Sequence, residues 1–320
     1  MTFCHKNPTV LLEVVMFFLS GQSESPLGSK RPNEDRWDFK VTPQNIVLVV
    51  GDSVRQMADS HGVYPGKISW EAAQIAAASI VHDLRQQSPG PYDAHSLRFA
   101  VHRANCQIRE LNTQLRRCHT DTTESIGTSI VVVWLHAQPN GSADGFIASL
   151  GDSVSLLVPS KGKPSLLTAD QLHACHTYSY EHFHHRMGES VDEARKRRYK
   201  WEREFAQNNP DAVAPDNPNE HIGYGALNGD PRALRFLDIR PVHMECGDRL
   251  VITTSALRVC RNELVDARET TADYSRVVRC VQECPTIRIP RTLIEFIRDC
   301  EVASDTPAED ATVAVIETAA

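Results

Sequence analysis

Two kinds of apolar pattern alternate along this chain, and they come in blocks. Residues 45–50 form a short apolar run that ends at Gly51-Asp52, the pattern of a core strand delivering an acid at its end. Residues 129–135, 145–150 and 154–158 read as further strands, the first two around the polar turn Gln138-Pro-Asn-Gly-Ser142. The third is expected to make a hairpin with the second across Gly151-Asp152-Ser153. Later strands are expected at 242–244, 249–254 and 311–317. Helical spacing separates them. A helix opens at Ser69 and runs to about Gln87, with Ala72, Ala73, Ile75, Ala76 and Ile80 on one face. Leu97, Val101, Ala104, Ile108, Leu111 and Leu115 mark a second helix over about 94–117, and two more follow at about 272–283 and 290–300. Strands and helices arrive in groups rather than in strict alternation. That implies an α+β fold in which antiparallel sheets are covered by helix pairs.

One segment departs from these patterns. Between Asp170 and Gly223 the chain is polar and rich in His, Pro and Asn, with a helical stretch over 191–207 and a loop over 208–218. It reads as a weakly packed flap insertion, at about 170–223, in a single domain covering 1–320. Neither internal repeats nor a compositional break divide the chain.

The most hydrophobic stretch, 10–19, follows Lys6 and is about half the length that spans a bilayer. Glu13 interrupts it and no small-residue cleavage site follows, so a buried first strand is expected rather than a leader. With 34 Lys plus Arg against 41 Asp plus Glu, the net charge of −7 argues against a nucleic-acid backbone as partner. No membrane partner is expected either. The 9 cysteines are odd in number and scattered, which points to buried thiols in a reducing compartment, the cytoplasm. Cys280 and Cys284 share a helix face without forming a CxxC site, and Cys106 and Cys118 read as thiols on a packed helix.

Acidic residues recur at strand ends and tight turns: Glu34-Asp35, Asp52, Asp152 and Asp310. Converging carboxylates suit hard cations such as Mg²⁺ or Mn²⁺, although each acid taken singly also suits a turn or a helix cap. His173, His176, His182, His184 and His185 cluster with Cys175, but their irregular spacing favours a polar surface loop over a zinc site. The basic run Arg195-Lys-Arg-Arg-Tyr-Lys200 is flanked by Glu193, Glu202 and Glu204 at helical spacing and reads as a solvated helix face.

Taken in order, the segments resemble the metal-dependent protein phosphatases (PPM type, the type 2C serine/threonine phosphatases). Ser25-Pro-Leu-Gly-Ser-Lys-Arg-Pro-Asn-Glu-Asp-Arg36 resembles the family's opening block, and Val47-Leu-Val-Val-Gly-Asp-Ser53 its first metal-bearing strand end. Ile126-Gly-Thr-Ser-Ile-Val-Val-Val133, Ile147-Ala-Ser-Leu-Gly-Asp-Ser153 and Leu166-Leu-Thr-Ala-Asp-Gln171 are similar to the blocks that follow. So are Gly223-Tyr-Gly-Ala-Leu-Asn-Gly-Asp230, Glu245-Cys-Gly-Asp-Arg-Leu-Val-Ile252 and Glu309-Asp-Ala-Thr-Val-Ala-Val315. These blocks cover nearly the whole chain.

The resemblance implies a four-layer α-β-β-α sandwich with one or two Mg²⁺ or Mn²⁺ ions at one edge. It implies hydrolysis of phosphoserine and phosphothreonine in a phosphoprotein substrate, by a metal-activated water. Carried over, Asp52 is the bridging metal ligand, with the backbone carbonyl of Ser53 beside it. Asp310 is the terminal ligand, Glu34 and Asp35 hold the first metal through water, and Asp152 serves a weaker further metal. Lys30 or the adjacent Arg31 stands where the phosphate clamp belongs. Lysine offers a point charge and not the bidentate fork of arginine. Where the family has Asp-Gly after its late strand, this chain has Ser255-Ala256, so the second metal position is degenerate. The implied function is an impaired phosphatase. The alternative is an inactive pseudophosphatase that binds a protein partner or phosphopeptide.

Overall fold

A computed structural model describes residues 12–14, 17–25, 33–42, 44–54, 69–85, 93–118, 126–182, 190–260, 274–303 and 310–319. The first half contains β1 (Leu12–Val14), β2 (Phe17–Glu24), β3 (Arg36–Val41), β4 (Asn45–Val54), α1 (Ser69–Arg85), α2 (Ala94–Cys118), β5 (Gly127–Ala137), β6 (Ala143–Leu150) and β7 (Val154–Val158). The second contains β8 (Ser165–Leu166), α3 (His173–His182), α4 (Val191–Trp201), β9 (Val213–Ala214), β10 (Asn217–His221), β11 (Asp238–Met244), β12 (Arg249–Thr253), α5 (Ser275–Glu283), α6 (Ile289–Ala303) and β13 (Ala311–Thr318). One sheet has the order β1-β2-β13-β12-β7-β8 and the other β11-β6-β5-β4-β3, with antiparallel pairing throughout.

Successive strand residues face opposite sides of a sheet, and here both sides are dry. In β4, Ile46, Leu48 and Val50 face the sheet that holds β13, whereas Val47 and Val49 pack under α1 and α2. In β5, Val131, Val133 and Leu135 point inward, and Ile130, Val132 and Trp134 point to the helices. β13 repeats this on the other side. Ala314 and Ile316 meet the sheet that holds β4, and Val313 and Val315 meet α5 and α6 through Val277, Val281, Leu293 and Ile297. The layers are therefore helix pair, sheet, sheet, helix pair, as the sequence leads one to expect. Burial on both faces explains why these strands read as unbroken apolar runs. Among the described residues, no helix is long and apolar enough to cross a membrane.

Two expectations are corrected. β6 and β7 do not form a hairpin: β6 pairs with β5 and β11, whereas β7 pairs with β12 and β8. The turn Gly151-Asp152-Ser153 instead carries the chain from one sheet to the other. Gly151 has φ +102°, and a Cβ there would stand 2.3 Å from the Cβ of Ser129. Only glycine fits this crossing.

The described part of the insertion is also better packed than its composition suggests. Cys175, Tyr178, Ala206, Ala212, Ala214, Ile222 and Tyr224 form a small core of their own. Asn208, at φ 53°, clamps it to the sandwich. Its side chain donates to Ala226 O at 2.9 Å and Asn228 Oδ1 at 2.8 Å, and accepts from Ala226 N at 2.8 Å. Asn112 extends the clamp, donating to Ile126 O and Asn228 O. The alanines and tyrosines of this core give no strong apolar signal, which is why the segment reads as loose. The basic run falls on α4, which opens with a capping box between Ser190 and Glu193. Cys106, Cys175, Cys246, Cys280 and Cys284 carry free thiols. The side chain of Cys118 lies outside the described residues.

Candidate metal centre

The strand ends that read as acid-bearing gather at one edge of the sandwich. Asp52 lies near the end of β4, opposite Ser129 of β5. Glu34 and Asp35 immediately precede β3, and Asp310 immediately precedes β13. Asp152 sits in the crossing from β6 to β7, and Thr254-Ser255 follows β12. Glu34, Asp35, Asp52, Ser53, Asp152, Ser255 and Asp310 all line one cleft of about 140 Å³. The structure thus brings together every described residue of the implied site. Lys30 and Arg31 lie outside the described residues.

Hydrogen bonds lock this floor in place. Glu34 N donates to Asp310 Oδ2 at 2.7 Å, tying the two sheets together. Ser53 Oγ donates to Glu34 O at 2.7 Å, and Thr128 Oγ1 to Asp52 O at 2.9 Å. Thr254 Oγ1 donates to Asp35 Oδ2 at 3.0 Å and itself accepts from Thr312 N. Ser255 engages Asp52 twice: its N–H and its hydroxyl both donate to Oδ2, at 3.0 and 2.6 Å. The position that is degenerate in sequence is therefore a donor to the principal acid. Arg36 spans Asn33 O and Asp35 O with one guanidinium nitrogen and lies 4.7 Å from the Trp70 ring.

Asp35 is buried, and its carboxyl is held well above the usual range by that burial first, then by the charges of Asp52 and Asp310. The Thr254 and Thr312 hydroxyls pull the other way. Like charges gathered in a dry place call for a counter-charge, and all-oxygen donors suit a hard dication. By the chemistry of its donors the residue set fits one such ion. Its arrangement is not that of a closed site: among the described residues, no three His, Cys, Asp or Glu side chains converge around a point. Asp52 is turned toward Ser255 instead.

A pH dependence follows with a definite sign. Because its folded carboxyl holds a proton to higher pH than the unfolded one, Asp35 leaves stability intact below the ordinary Asp value of 3.8. Stability then falls as pH rises through the raised folded value. In EDTA, Asp35→Asn should therefore exceed wild type in stability at neutral pH, with the advantage vanishing on acidification. Urea unfolding of both proteins from about pH 4 to 8 tests this. Parallel curves would show that the Asp35 charge costs the fold nothing.

The opposite wall of the cleft was not legible as part of a site. It comprises Leu172, His176, Tyr199, Glu202, Arg203, Tyr224, Gly225 and Ala226. The histidine-rich segment reads as surface loop, yet its residues 173–182 form α3, with Cys175 buried below and His176 on the cleft, while His184 and His185 lie outside the described residues. Burial pushes the Cys175 thiol upward, and the Tyr224 hydroxyl likewise, with Cys175 and Glu202 adding to the latter. This wall is therefore apolar behind its polar tips.

No protein-family model matches the sequence, and no curated protein matches it. Solved structures do. The serine/threonine phosphatase PstP/Ppp of Mycobacterium tuberculosis superposes with a TM-score of 0.57 at 17% identity, over 96% of this chain and 100% of that one. The S. agalactiae serine/threonine phosphatase gives 0.56 at 15% identity, over 94% and 99%. RsbX in complex with magnesium gives 0.53 at 10% identity, over 98% and 100%. This is the fold of the PPM-type serine/threonine phosphatases. A further structure of the PstP catalytic domain, with a TM-score of 0.56 at 16% identity, contains two manganese ions. Identities this low establish the phosphatase sandwich and leave the chemistry to be argued from the cleft itself.

Proposed function

We propose that this cleft hydrolyses phosphoserine and phosphothreonine in protein substrates with a divalent cation, Mg²⁺ or Mn²⁺, and that it is impaired at its second cation position. The observation that carries this reading is the gathering of Asp35, Asp52 and Asp310 on the floor of one cleft within a phosphatase sandwich. Asp52 and Asp310 are the residues that would hold the cation, with Glu34, Asp35 and the Ser53 carbonyl beside them and Asp152 at the rim. When bound, the ion acidifies a water and offsets the phosphate charge. The chain's own part is to orient those carboxylates and to exclude bulk water with the α3–α4 wall. Lys30 and Arg31 complete the reading as the phosphate clamp.

Ser255 favours a second reading. Its two hydrogen bonds satisfy Asp52 without a cation, as would suit a pseudophosphatase that binds a phosphopeptide or protein partner and does not turn it over. One experiment separates the two. Wild type should hydrolyse a phosphothreonine peptide in Mn²⁺ and lose this in EDTA, and Asp52→Ala should fall by at least about a hundredfold, since a catalytic metal supplies several kcal/mol. Calorimetric titration with Mn²⁺ should give heat for wild type and little for the variant. Equal heats would remove the cation from the account, and binding of peptide without turnover at saturating Mn²⁺ would leave the pseudophosphatase.

A further inference from the structure

The far wall of the cleft holds a buried acid that the cation has no use for. Glu202 begins a π-helical turn, Glu202–Ala206, that continues α4, and its side chain is only 4% exposed. Such turns widen a helix locally and recur at functional sites. The Glu202 carboxylate accepts from His176 Nδ1 at 3.0 Å and from the hydroxyl of Ser179, and Arg198 Nε lies 3.6 Å away. His176, by contrast, is 30% exposed and lines the cleft with Asp52, Asp152 and Asp310. A carboxylate only accepts hydrogen bonds, so Nδ1 carries a hydrogen and the tautomer is fixed. Nε2 is then the ring atom that exchanges a proton with a molecule in the cleft. Burying a carboxylate is costly unless it is paired, and here the pairing orients an imidazole toward an acid-lined site.

We propose that His176 protonates the leaving serine or threonine oxygen, with Glu202 as its positioning residue; this rests on the phosphatase reading above. As the water oxygen bonds to phosphorus, the bond from phosphorus to the side-chain oxygen breaks. The electron pair stays on that oxygen, which takes the proton from His176 Nε2. One hydrogen of the water remains on the hydrogen phosphate product, and the other leaves to solvent, from which His176 is protonated again. An alkoxide is a poor leaving group and needs this proton, whereas p-nitrophenolate does not.

The test is the contrast between leaving groups. His176→Gln should lower turnover of a phosphothreonine peptide by about a hundredfold or more. Turnover of p-nitrophenyl phosphate should stay within about threefold, because that step needs no acid. Glu202→Gln keeps an acceptor at Nδ1 without the charge and should show the same split with a smaller loss. Added imidazole should restore peptide turnover in His176→Gly. Equal losses on both substrates in His176→Gln and Glu202→Gln, or no loss on either, would overturn the assignment and leave His176 a structural residue. Absence of turnover by wild type on both substrates would instead overturn the phosphatase reading, and this assignment with it.

Discussion

Ser255→Asp is expected to raise Mn²⁺-dependent turnover by at least about a hundredfold, because an added metal contact is worth several kcal/mol in the transition state and each 1.4 kcal/mol is about tenfold. The geometry adds a second consequence, opposite in sign. The Ser255 hydroxyl lies 2.6 Å from Asp52 Oδ2, so a carboxylate there would face Asp52 directly. Without a cation the two negative groups repel, next to an Asp35 whose carboxyl is already held above its ordinary range by burial and by its acidic neighbours. The metal-free variant should therefore melt below wild type, and saturating Mn²⁺ should raise it above, since the ion binds only the folded state. Melting scans in EDTA and in Mn²⁺, with peptide turnover beside them, measure both signs. A restored metal response with no turnover would mean that the cleft binds phosphopeptides without cleaving them. No change in either would mean that position 255 does not reach the cation.

The second large effect is at the crossing between the sheets. Gly151→Ala should cost about 3 kcal/mol, the combined scale of a left-handed non-glycine residue and an overpacked contact. The added Cβ would lie 2.3 Å from the Cβ of Ser129 and 3.2 Å from its Cα, so β5 must move. Ser129 stands opposite Asp52 and its hydroxyl bonds Ser153 at 3.3 Å, so the shift is felt at the acids themselves. Gly162→Ala is the control. Its φ of +119° is also left-handed, but its nearest neighbour would be Pro159 Cγ at 3.7 Å. It should cost about 1 kcal/mol from backbone strain alone. Denaturant midpoints of the two variants compare crowding with strain. Similar losses would show that the sheet-to-sheet turn is free to relax.

Most of the sandwich was legible because its strands are buried on both faces. β4, β5 and β13 carry unbroken apolar runs and could hardly be anything else. β3 gives no clear signal because Arg36–Val41 mixes charges with Trp37 and Phe39, as an edge strand does, and among the described residues pairs only with β4. The false hairpin has a different cause. Gly-Asp-Ser is good turn chemistry wherever it leads, and the apolar strands on either side would fit one sheet as well as the other. Only the pairing of β7 with β12 decides between them. The acid floor was readable from strand ends in order. The His176–Glu202 pair was not: its members lie 26 residues apart and meet through a π-turn that local sequence does not announce.

Asp52 belongs to the sheet of β4 and Asp310 to the sheet of β13, so a cation held by both would act as a clasp across the seam between the two halves of the sandwich. Prising the sheets apart would have to break that clasp first. Its effect should then appear in how slowly the protein comes undone, more than in how fast it forms. In this architecture the ion that serves the chemistry would also set the lifetime of the folded chain.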